Sequence, residues 1–159
     1  MNRNRYRSTL VCLTDIADVE RAQKGKIYPA GTIYVQVSAT PKYTDEIWNI
    51  LKNSGELPGK FAVIFPKIEL IPAYLVLALT MNTAEWQARY IGDAINISME
   101  LFKELRIIYH ADIEAQAEIL RKISIVDKAI EYESQQVELN KEAKNFFLQK
   151  MFPEGKNVI

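Results

Sequence analysis

The side chains best equipped for chemistry lie in one stretch: Gln36, Ser38, Thr40, Lys42 and Tyr43 supply an amide, two hydroxyls, a cation and a phenol within eight positions. They do not pair a nucleophile with a base. Such a set can bind nucleic acid, because amides read adenine edges, Lys and Arg read guanine or grip phosphate, and hydroxyls assist. The same residues also suit an ordinary polar exit from a strand. Lys60, Lys67, Gln87, Arg89 and Tyr90 form a second group of this character, with solvated surface as its competing reading. Arg3, Arg5 and Arg7 load the N-terminus, either as a phosphate grip or as a basic tail. Trp48 and Trp86 read as core or interface anchors rather than base-stacking platforms.

Catalytic patterns are sparse. His110 is the only histidine, and it sits just before a long helical stretch, where a hinge or interface role fits it better than a triad. There is no Gly-rich phosphate loop, no Cys/His cluster with metal-ligand spacing and no Gly-x-Ser-x-Gly elbow. Asp15, Asp18 and Glu20 form the tightest acidic cluster and read as a solvated turn. The single cysteine, Cys12, excludes an intramolecular disulfide and reads as a small buried hydrophobe within Leu10–Leu13. The chain is expected to bind rather than catalyse, with no cofactor and no metal.

The elements that must position these residues come next. Ser8–Leu13 reads as a strand and Asp15–Glu20 as a short turn or helix. Pro29-Ala30-Gly31 is a turn, and the β-branched and aromatic alternation of Thr32–Ser38 predicts a strand that delivers Gln36 to its end. Phe61–Pro66 is another strand, preceded by a Gly55–Gly59 loop and stopped by proline. Pro72 suits the first turn of a helix running to about Arg89. Two short strands follow, Ala94–Ser98 and Leu105–Tyr109.

From Asp112 to Met151 there is neither Gly nor Pro, and the stretch is rich in Glu, Lys, Gln, Ala, Ile and Leu. It predicts one helix of about 60 Å, far longer than the usual three or four turns. Ile119, Ile123, Val126, Ile130 and Val137 recur at heptad-like spacing, and Phe147 and Met151 resume the same face. Glu133, Asn140 and Lys144 interrupt this seam. Such a helix needs a partner, and a homodimer through the seam is expected. The fold class is therefore α+β: a compact mixed head over residues 1–110, one long C-terminal coiled-coil helix over 111–153, and a tail over 154–159.

With 20 basic and 20 acidic residues, the chain has no global field announcing nucleic acid, although acids outnumber bases after Asp112. The N-terminus lacks the apolar core and cleavage site of a signal peptide, and no apolar run reaches membrane-spanning length. A cytoplasmic protein is expected.

The order of segments points further. "LTDIADVERA", "GKIYPAGTIYVQVSAT", "GKFAVIFPK" with "IPAYLVLAL", "IGDAINIS", "DIEAQAEILRKISIVDKAI" and "KEAKNFFLQKMFP" together resemble the specificity subunits of type I restriction-modification enzymes. The resemblance covers nearly the whole chain, although family members usually carry two head-plus-helix halves and this chain has one. It implies a target recognition domain reading one half of a split sequence in double-stranded DNA, with the helix as spacer. It also implies an adenine methyltransferase subunit, with or without a restriction subunit, as partner and as the source of S-adenosylmethionine chemistry. The Asn/Asp-Pro-Pro-Tyr/Phe signature of adenine methyltransferases is absent here. A half subunit that assembles with partners without reading DNA alone is the competing reading. The family often has proline where the last strand enters the helix, whereas this chain has His110-Ala111-Asp112, with Asp112 suited to cap the helix.

Overall fold

The computed structural model describes residues 7–38, 47–82 and 96–152. Its contacts divide the chain into two units, 1–120 and 121–159. The first unit is built on a four-stranded antiparallel sheet. Its strands are β2 (Ala17–Arg21), β4 (Ile33–Gln36), β5 (Asn49–Ile50) and β7 (Phe61–Pro66), in the order β2-β7-β4-β5. Period-two alternation explains why β4 forms. Ile33, Val35 and Val37 are fully buried while Tyr34 and Gln36 are only half-buried.

Strand β7 is the pivot, because its two faces serve two clusters. Ala62 and Ile64 join the main core with Leu13, Val35, Leu75, Leu79, Phe102 and Ile107. Val63 faces a smaller cluster with Ala22, Tyr28 and Leu57. The main core is closed by helix α2 (Pro72–Thr80), with proline in its first turn as expected, and by a 3₁₀ turn, Met99–Lys103. Strands β1 (Ser8–Cys12) and β8 (Arg106–His110) form a separate antiparallel pair. Ile107 and Tyr109 point inward, whereas Leu10 and Ile108, directly opposite in register, stay 63% and 57% exposed. Short strands β3 (Ile27–Tyr28) and β6 (Gly55–Glu56) pair with each other, so the expected Gly55–Gly59 loop begins as a strand. Gly31 sits at φ +88° in the turn before β4, a conformation that side chains with a Cβ resist.

Three sequence expectations change. Asp15–Glu20 is not one turn or helix. Helix α1 (Leu13–Ile16) ends there, and Ala17–Arg21 is an edge strand paired with β7 from Ala17↔Pro66 to Arg21↔Ala62. Helix α2 stops at Thr80 instead of reaching Arg89, where the Asn82 amide donates to the carbonyls of Ala78 (3.3 Å) and Arg106 (3.1 Å) and ties the helix end to β8. Of the expected strand Ala94–Ser98, the described part is a single bridge, Asn96↔Ser38. Cys12 is half-buried rather than fully buried, and Trp48 is a core residue.

Helix α3 (Ile113–Met151) has 39 residues. Asp112 caps it, its Oδ1 accepting from the N–H groups of Glu114 (2.8 Å) and Ala115 (3.3 Å). Its first turns belong to the first unit. Ala115 and Gln116 are buried, and Ile119 and Leu120 pack against the main core. In the second unit every described residue of the helix is exposed except the half-buried Gln136. No helix among the described residues is long and apolar enough to cross a membrane.

Candidate nucleic-acid interface

Three strand ends meet at one edge of the four-stranded sheet: the end of β2, the exit of β4 and the start of β7. Antiparallel register puts Gln36 opposite Phe61 and Arg21 opposite Ala62. The N–H groups of Val37 (2.8 Å) and Ser38 (3.1 Å) both donate to the Lys60 carbonyl, and Ile97 donates to the Val37 carbonyl at 2.7 Å. Gln36, Ser38 and Lys60 are therefore neighbours although 24 positions separate the first from the last. The Gln36 amide donates to the Ser38 carbonyl at 2.9 Å, fixing the strand's exit. The Lys60 ammonium lies 5.3 Å from the centroid of the Phe61 ring, a cation held over an aromatic face at the surface.

Sequence reasoning missed Arg21. Its guanidinium donates through Nε to the Gly59 carbonyl at 2.7 Å and hydrogen-bonds the Ser38 hydroxyl. It thus ties the end of one strand to the two segments that carry Lys60 and Gln36, and it remains exposed. No motif spans residues 21, 38 and 59; only the sheet order brings them together.

The second group of candidates is dispersed. Lys67 sits at the far end of β7, about 20 Å from Lys60 along the strand, where its ammonium pairs with Asp18 (3.0 Å) and donates to the Thr14 carbonyl (2.9 Å). Thr40, Lys42, Tyr43, Gln87, Arg89 and Tyr90 lie outside the described residues, as do Arg3, Arg5 and Trp86. The acidic cluster is structurally employed. Asp15 accepts from the Cys12 N–H at 3.1 Å, Asp18 takes Lys67, and Glu20 bonds Lys26 at 2.5 Å, which holds that ammonium above its ordinary pKa.

His110 serves the architecture of the first unit. Its Nδ1 is 2.7 Å from the Tyr74 hydroxyl, its N–H donates to the same hydroxyl at 3.1 Å, and its carbonyl accepts from Gln116 Nε2 at 2.7 Å. Gln116, fully buried, also accepts the Ile71 N–H at 3.0 Å. One amide thus joins the start of α2, the end of β8 and the first turns of α3. Burial pushes the Tyr74 phenol above its ordinary value and neighbouring Tyr109 adds to this, while the His110 N–H bond pulls it back.

Helix α3 presents two apolar stripes. Along the expected seam, Ile123, Val126, Ile130, Val137, Phe147 and Met151 are between 40% and 69% exposed. Ile119, the first seam residue, is instead half-buried against the core of the first unit. A second stripe was not anticipated: Ile125, Tyr132, Leu139 and Phe146 recur every seven residues, each 55–60% exposed, with Ala129, Gln136 and Ala143 between them. It carries no charge, and at 100° per residue it lies roughly 110° around the helix from the first.

Among solved structures the chain is similar to the type I restriction-modification system S subunit from M. genitalium, with a TM-score of 0.61 at 17% identity. The alignment covers 98% of this chain and 48% of that one. The fold is that of half an S subunit. A second similar chain comes from a structure describing complex assembly and conformational transition of the type I R-M system, with TM-score 0.65 and 13% identity, covering 87% of this chain and 43% of that one. The chain thus spans about half the length of the structures it matches. No protein-family model and no curated protein sequence matches it. The S-subunit fold accounts for both units, because the alignment runs through the mixed head and the long helix alike.

Proposed function

We propose that this chain is a half-size specificity subunit of a type I restriction-modification system. It binds double-stranded DNA sequence-specifically and directs methyltransferase and restriction subunits to a split target. The observation that carries this reading is the S-subunit fold across 98% of the chain, at about half the length of the S subunit it matches. The head reads one half of the target and a second copy, paired through α3, reads the other. Base reading is assigned to Gln36, Ser38, Thr40, Lys42 and Tyr43, and phosphate grip to Lys60, Arg89 and Tyr90. The methyl-transfer chemistry belongs to the partner subunit and the complex works in the cytoplasm. Two uncharged or mostly apolar stripes on one helix support two neighbours, a second copy on one and a partner subunit on the other.

The test is methylome sequencing of cells with and without the gene. A split methylated motif that disappears with the gene is the expected result, and an unchanged methylome sinks the proposal. A second reading, an assembly module that does not itself read DNA, draws support from zero net charge and the exposed stripes. A salt titration of DNA binding separates the two, since phosphate contacts make affinity fall steeply with salt and an assembly module shows no such slope.

A further inference from the structure

Which way two copies pair is decided by the charges inside the first seam. Written as heptads, the seam runs Ile119, Ile123, Val126, Ile130, Glu133, Val137, Asn140, Lys144, Phe147 and Met151, with steps of four and three alternating throughout. A parallel pair in register would stack each residue on its own copy. Glu133 would face Glu133 and Lys144 would face Lys144, putting two like-charge layers into one short core, which is strongly unfavourable.

The seam is symmetric about Gln135, so an antiparallel pair with its two-fold axis there sets every seam position of one copy opposite a seam position of the other. Ile119 then meets Met151 of the second copy and Ile123 meets its Phe147, giving four fully apolar layers, two at each end. Nearer the middle, Glu133 meets Val137 and Val126 meets Lys144, so no charge faces its like across the seam. The rim agrees in part. Asp127 falls beside Lys141 and Leu120 beside Leu148, while Lys122 beside Lys150 is one repulsive contact at the exposed edge, where it costs little. Some thirty helical residues per copy, presenting four of every seven positions, supply a surface on the order of 800 Å² per partner, the size of a standard stable interface.

We propose that this face of α3 takes a second copy of the chain in antiparallel register about Gln135, with Asp127 and Lys141 as the inter-copy pair that fixes it. The proposal rests on the half-subunit reading for its purpose. By chain connectivity the two heads then join the pair at opposite ends, as a split target requires.

Full-length Ile123→Cys and Phe147→Cys variants, oxidised separately and as a mixture with the wild-type chain as control, test the direction. Both positions are exposed, so neither change threatens the core. The antiparallel register predicts disulfide-linked dimers only in the mixture, because each cysteine lies about 36 Å from its own copy. Self-linking of either variant alone means a parallel pair and overturns the proposal, as does a monomer by sedimentation at tens of micromolar. Charge reversal tests the register. Asp127→Lys or Lys141→Asp should weaken dimerisation by about fivefold, and the double swap should restore it; a double swap as weak as either single change overturns the register. Target-specific methylation that persists in cells despite such a failure leaves the specificity-subunit reading standing, whereas its loss with the gene intact is what fails that reading.

Discussion

The two units spend their apolar residues in opposite ways. In the first, Ile33, Ile64, Leu75 and Ile107 are fully hidden among one another, so the unit carries its own hydrophobic core. In the second, Ile130, Tyr132, Val137 and Leu139 face water at the same density and hide against nothing in the chain. Burial, not composition, separates a unit that can hold itself together from one whose order depends on what covers it. The first can be stable at any concentration. The second is stabilised by association.

The sharpest way to break that contrast is to make one substitution in both places. Ile64→Ala should destabilise the head by about 2–5 kcal/mol, the cost of a cavity in a packed core, and the loss should not depend on protein concentration. Ile130→Ala should leave the head's denaturation midpoint unchanged and appear only as a concentration-dependent loss of the helical signal. Chemical denaturation followed by tryptophan fluorescence and circular dichroism at several concentrations reads both. If the two variants behave alike, the contrast is wrong.

A smaller effect is expected at the amide that joins three elements of the head. Gln116→Leu keeps the side chain's bulk but leaves the Ile71 N–H and the His110 carbonyl without the partner that Gln116 supplies. Two buried polar groups stripped of a bond should cost about 3 kcal/mol together, seen as a lower denaturant midpoint with the dimer's dissociation constant unchanged.

Much of this division was legible in the sequence. The absence of Gly and Pro from 112 to 151 announced the helix, and β-branched alternation announced β4 and β7. The misreadings have physical causes. Ala17–Arg21 carries Asp18 and Glu20, poor strand formers, and is a strand because it pairs with β7 as an edge, where charges are tolerated and deter further pairing. The second apolar stripe went unseen because a seam once found accounts for the first set of heptad residues, and Ile125, Tyr132, Leu139 and Phe146 fall on another face. Arg21 was invisible because its partners are 17 and 38 positions away and no local pattern encodes a sheet order. Gln36 and Lys60 were legible as polar ends of strands, but their adjacency was not.

If the sheet edge reads DNA, base and phosphate contacts should differ in kind. Gln36→Ala or Lys42→Ala should cost about 1–3 kcal/mol at one position of the target and relax specificity there, whereas Arg89→Ala should weaken binding to all sequences alike and flatten the salt slope. Competition against single-base variants of the target, with the methyltransferase partner present, measures both. Uniform weakening by Gln36→Ala and Lys42→Ala would demote that stretch to a positioning role.

The smallest effect lies in the phenol beside His110. Tyr74 and Tyr109 both hold their protons above the ordinary tyrosine value of 10.0, each chiefly because burial disfavours the phenolate. The sign follows from which state ionises first. Below pH 10 both states are neutral and the groups contribute fully; above it the unfolded chain gives up these protons before the folded one does, so the head loses stability as pH rises. Tyr74→Phe removes one of the two groups together with the hydroxyl that bonds His110, at a cost of about 1 kcal/mol at neutral pH. Its alkaline decline should then be shallower than the wild type's but not abolished, since Tyr109 remains. Denaturation midpoints from pH 8 to 11 would show this, and a variant whose decline parallels the wild type's would mean that Tyr74 plays no part in it.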